Sequence, residues 1–160
     1  MTGGTTGRAL AVRCLVLLEF VVGVSAVGGA IALIGGGAGI PDRALARTPF
    51  TSWVVPGIAL FAVVAVPMLA AASAYAWAPR MFWGLSVTAG LALLAWMAAE
   101  IALVREFSSL QPMMIVVGGV VLALASAAGP APSRAAPTLP ADAPAGTPDV
   151  PARHTTTSKR

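Results

Sequence analysis

The sequence predicts an all-α fold, a four-transmembrane-helix bundle followed by a disordered Pro/Ala/Thr-rich C-terminal tail. Three observations predict it. Of 160 residues, 58% are hydrophobic and only 10% charged, with mean hydropathy +0.86, whereas a soluble domain carries about a quarter charged residues. So few charges cannot cover a water-facing surface, and lipid removes that need. The charges are also spaced so that none occurs in 20–41, 48–79, 81–99 or 107–133. Finally, seven of the 13 prolines follow Gly129.

Crossing the hydrocarbon takes about 20 mostly apolar residues. This places spans at about 11–34, 53–77, 81–104 and 111–128, all within a membrane domain of residues 1–128. The first span outlasts the apolar core of a signal peptide, about 7–15 residues, and contains Glu19. It is expected to be retained as a helix. Gly35, Gly36, Gly37 and Gly39 end it, glycine being the common C-terminal stop. They resemble a phosphate loop only superficially, because no Gly-Lys-Ser/Thr follows. The loop from Asp42 to Ser52 is the one sizeable soluble segment, with room for a short surface helix at 42–46.

Pro56 falls in the first turns of the second span, where it is tolerated, while Pro67 is central and is expected to kink the helix. Trp77, Ala78, Pro79, Arg80 and Met81 form a tight hairpin, which makes the second and third helices antiparallel neighbours. Trp53, Trp77 and Trp83 fall at span ends, where amphipathic rings anchor to headgroups. Small residues spaced four apart are expected at helix contacts: Ser25 with Gly29, Gly84 with Thr88, Ser86 with Gly90, and Gly119 with Ala123 and Ala127. Residues 129–160 have too few large apolar side chains to offset the entropy of ordering, so a solvated, disordered tail is expected.

The net charge of +4 divides evenly, +2 before residue 129 and +2 after it, and builds no basic face. Nucleic acid is therefore not an expected partner. The excess reads as charge flanking membrane helices. Near the spans, Arg8, Arg13, Arg80 and Arg134 lie on the side of the termini, against Arg43, Arg47 and Arg105 on the other. That asymmetry favours a multi-pass plasma-membrane protein with both termini in the cytoplasm. Cys14 is the single cysteine, which rules out an internal disulfide, and it is expected to be a small buried apolar residue.

Four residues are candidates for function: Glu19, Trp96, Glu100 and Arg105. Glu19 lies in the inner half of the first span, where an ionised carboxylate costs about 2.5–3.5 kcal/mol. It must face the bundle or be protonated, with Ser73 or Tyr75 at similar depth as partners. It is either a hydrogen-bonding element or a proton-coupled site. Glu100 follows Trp96 by four residues, on one helix face, near the outer boundary, where Arg43, Arg47 or Arg105 is expected to meet it. It lies roughly 15 Å from Glu19 along the membrane normal, too far for an acid–base pair. The single histidine, His154, sits in the tail. A histidine-ligated haem or metal and a Ser–His triad are thereby excluded from the membrane domain, and no cofactor is expected.

Residues 48–57, Trp96 to Glu100, and Leu110-Gln111-Pro112 stand out, as does the glycine-rich first helix from Glu19 to Leu33. Over about residues 10–128 they resemble small four-helix integral membrane proteins of high-GC Gram-positive (actinobacterial) bacteria. The resemblance implies topology and no activity. Small multidrug-resistance transporters also carry a first-helix glutamate, but the aromatic and small-residue motif around theirs is absent here. The expected function is that of a non-enzymatic accessory or structural membrane component. Its partners would be the lipid bilayer and either a second copy or another membrane protein. The alternatives are a small proton-coupled transporter using Glu19 and a membrane enzyme with an outer-face site around Glu100.

Overall fold

A computed structural model describes residues 3–41, 45, 48–104 and 110–130. Among them, four helices are long and apolar enough to cross a membrane. They are α1 (Gly3–Ile34), α2 (Val54–Trp77), α3 (Pro79–Val104) and α4 (Leu110–Ala128). Each helix packs on its neighbour in sequence, and α1 also packs on α4, which closes a four-helix ring.

Local chemistry sets the helix ends. α1 begins at Gly3 rather than near residue 11, and its 32 residues make it about 48 Å long. It therefore overruns a hydrocarbon layer of about 30 Å. It stops where Gly36, Gly37 and Gly39 take positive φ, carrying Ala38 with them at φ 54. At the hairpin, Ala78 leaves the helical region (φ −142, ψ 62), because the ring of Pro79 disfavours a helical residue before it. Pro79 then opens α3, where its missing N–H costs nothing. This single-residue link starts α3 two residues earlier than the charge pattern suggested.

Pro67 does disturb α2, through a widened turn. Residues Phe61–Ala65 form a π-helical turn, with the Val66 N–H donating to the Phe61 carbonyl five residues back. Pro67 has no N–H for the Val63 carbonyl and would press its ring against that group. One wide turn just before the proline relieves the crowding and keeps the helix continuous.

The buried core is built from Leu15, Val22, Val64, Met68, Phe82, Leu93 and Val121, with Ala71, Ala89 and Ala125 filling the closest approaches. α3 and α4 interlock: a Cβ on Gly90 would lie 2.9 Å from Leu122, and one on Gly118 would lie 2.7 Å from Leu94. Trp83 adds a hydrogen bond from Nε1 to the Ala125 carbonyl at 3.0 Å. Trp83 is thus a tether between helices as well as a residue at a span end, whereas Trp77 is 89% exposed. Lipid-facing hydroxyls satisfy themselves within their own helices: Ser73 donates to Leu69 O, Thr88 to Gly84 O and Ser126 to Leu122 O.

Several expectations change. Ser86 and Gly90 do face a neighbouring helix, and Gly29 contacts Leu60. Gly84 with Thr88, and Gly119 with Ala123 and Ala127, point out of the bundle. The buried glycine of α4 is Gly118, one position and about 100° away from Gly119. Cys14 is exposed, not buried, because the inward stripe of α1 runs through its neighbour Leu15 to Glu19 and Val22. The surface helix at 42–46 and the tail after Pro130 lie outside the described residues. Of that loop stretch only Leu45 is described, and it is buried.

Candidate functional site

The two intramembrane carboxylates occupy different environments. Glu19 lies on the inward stripe of α1, one turn from Leu15 and one from Val22, and is 0% exposed. Ser86 of α3, also fully buried, is the polar side chain that acts on it. Neither carboxylate oxygen nor the Ser86 hydroxyl makes a hydrogen bond of good geometry within the protein. The pair therefore stands as an under-satisfied polar contact across the middle of the ring. The expected partners Ser73 and Tyr75 do not serve. Ser73 bonds its own helix, and half-exposed Tyr75 stacks edge-on against Phe82 at 5.6 Å.

Glu100 is only partly buried and lines a cavity of about 390 Å³ at the end of the bundle that carries the α1–α2 loop. Near it stand the polar side chains of Trp96, one turn back on α3, and Gln111, at the start of α4. Gln111 is itself buried. Trp96 and Glu100 both line the cavity, one turn apart on α3. Gln111 was not singled out in the sequence as a site residue; the signal available was a polar residue heading an apolar span. Arg43, Arg47 and Arg105 lie outside the described residues, so the ion pair expected at Glu100 is not described.

The cavity walls come from all four helices. Val22, Val64 and Leu93 form its deep end, and Ile40, Leu45 and Phe50 of the α1–α2 loop cover it from above. The loop is held there by short-range bonds, Thr48 Oγ to Leu45 O at 2.9 Å and Phe50 N to Thr48 Oγ at 3.3 Å. Trp53 closes one side, seated so tightly on Gly37 that a Cβ there would fall 2.5 Å from its ring. Among the described lining residues, Glu100 is the one titratable group. Glu19 lies one turn below Val22 and does not line the cavity. No group of three or more potential metal ligands occurs among the described residues.

No family model, curated protein or solved structure matches this chain. What the fold establishes is therefore coarser than a family: the chain is an all-α, four-span membrane protein in contact with the lipid bilayer.

Proposed function

We propose that this protein is a non-enzymatic accessory component of the plasma membrane that works through helix contacts with another membrane protein. One observation carries the reading. Gly119, Ala123 and Ala127 are exposed along α4, and nothing lies within 4 Å of a Cβ built on Gly119. Small residues on a lipid-facing surface give lipid little to pack against but let a second helix approach closely. The proton-coupled alternative needs a hydrated route to Glu19, and that side chain is sealed by its neighbours. The enzymatic alternative needs a second reactive group near Glu100, and the described walls there are otherwise apolar apart from Ser25, Thr48 and the tryptophan N–H groups.

The test is site-specific photo-crosslinking in native membranes. A photoreactive residue at Ala123 should yield a discrete protein adduct that disappears in Gly119→Leu. The same residue at Ile31, exposed on α1, should yield lipid adducts alone. Lipid adducts alone at both positions would sink the contact-face reading, whereas an adduct to a second copy would make the partner this same chain.

A further inference from the structure

We propose that the cavity beside Glu100 is a binding site for a single-chain amphiphile, an apolar tail capped by a hydrogen-bond-donating cationic head such as an amine. This is independent of the outward face of α4. The volume of about 390 Å³ falls within the range of small-molecule sites, about 300–1,000 Å³. Its shape follows from its walls. Leu93 and Leu103 both line it, and ten helical residues correspond to about 15 Å of depth.

Polarity within that length is one-sided. The deep end is Val22, Val64 and Leu93, which offers water no partners, and cavities of that kind stay dry and take apolar guests. The other end holds the Glu100 carboxylate, with the Trp96 ring on the same wall one turn back. A carboxylate is an acceptor when ionised, with capacity for several donors. An ammonium head meets it with a charge-assisted bond. A carboxylate or phosphate head would instead meet a like charge. The apolar walls select the tail and Glu100 selects the head.

The experiment uses the full chain in nanodiscs of a neutral lipid, with dodecylamine brominated near its tail end as the probe. Trp53 and Trp96 line the cavity and report a bound bromine by quenching of their fluorescence, while exposed Trp77 reports simple partitioning. The expected result is a saturable quenching component on top of a linear one. Filling the cavity with Ala26→Phe should weaken the saturable component by about tenfold or more. Glu100→Gln should weaken the amine by about tenfold while leaving brominated dodecanol within about twofold. If Ala26→Phe fails to fold, Ala59→Leu on the opposite wall replaces it. Quenching without saturation, or saturation unchanged in the filling variant, would overturn the site. Tighter binding of brominated dodecanoate than of the amine would overturn the assignment of the head.

Discussion

Arg8, in the second turn of α1, donates a hydrogen bond from Nε to the carbonyl oxygen of Ala128, the last residue of α4, at 2.6 Å. Its Nη2 donates a second to the Pro130 carbonyl at 3.1 Å. Gly129, at φ 64, ends the helix and leaves its last carbonyls without helical donors. Arg8 supplies donors and a positive charge where the helix dipole is negative. A residue that reads in the sequence as a membrane-flanking charge is also the cap that joins the first helix to the last.

Removing that cap should be measurable. Arg8→Ala should lower stability by about 1 kcal/mol, a modest figure because the side chain is largely exposed. Arg8→Lys should recover part of it, keeping the charge but losing the two-pronged geometry. Thermal unfolding in detergent checks both, and an unchanged melting temperature for Arg8→Ala would show that solvent serves those carbonyls equally well.

Glu19 is expected to be a cost to the fold. Its oxygens are buried and without well-formed hydrogen bonds, and replacing an under-satisfied buried polar group by an apolar one of similar volume is neutral or stabilising by about 1–3 kcal/mol. Glu19→Leu should therefore unfold at the same temperature as the parent or higher, with Glu19→Gln close to the parent. Marked destabilisation of the leucine variant would mean that the carboxylate has a partner, such as an internal water, and would revive a proton-linked role.

The α3–α4 contact offers a paired test. Gly118→Val should destabilise by about 1–3 kcal/mol, as overpacking does, because its Cβ would meet Leu94 at 2.7 Å. Gly119→Val, one residue along and facing outward, should leave the unfolding of the isolated protein unchanged. Equal effects at the two positions would contradict the helix rotation described here.

Topology is testable in cells. Reporter fusions after Arg47 and after Arg80 should read opposite sides of the membrane, outside and inside respectively, because one helix of membrane-spanning length separates them. The expected direction rests on the arginine asymmetry read from the sequence. Identical readings would falsify the hairpin at Ala78.

Much of this architecture was legible in one dimension. Charge is excluded from hydrocarbon, so the four charge-free runs located four helices without any knowledge of their neighbours. Pro79 marked the hairpin and Pro67 the distortion, because a missing N–H and a fixed ring act locally wherever they occur. Trp96 and Glu100 could be paired for the same reason, being one turn apart on a single helix.

What only the tertiary structure decided is rotation. In lipid the outer face of a helix is as apolar as the inner one, so hydrophobicity carries little signal about which side faces the bundle. Gly118 and Gly119 are indistinguishable in sequence, yet one meets Leu94 and the other faces out. Cys14 and Leu15 divide in the same way. The approach of Ser86 to Glu19, the cap from Arg8 to Ala128 and the cavity under the loop all join residues far apart in the chain. They exist only because four helix rotations are fixed together by close packing.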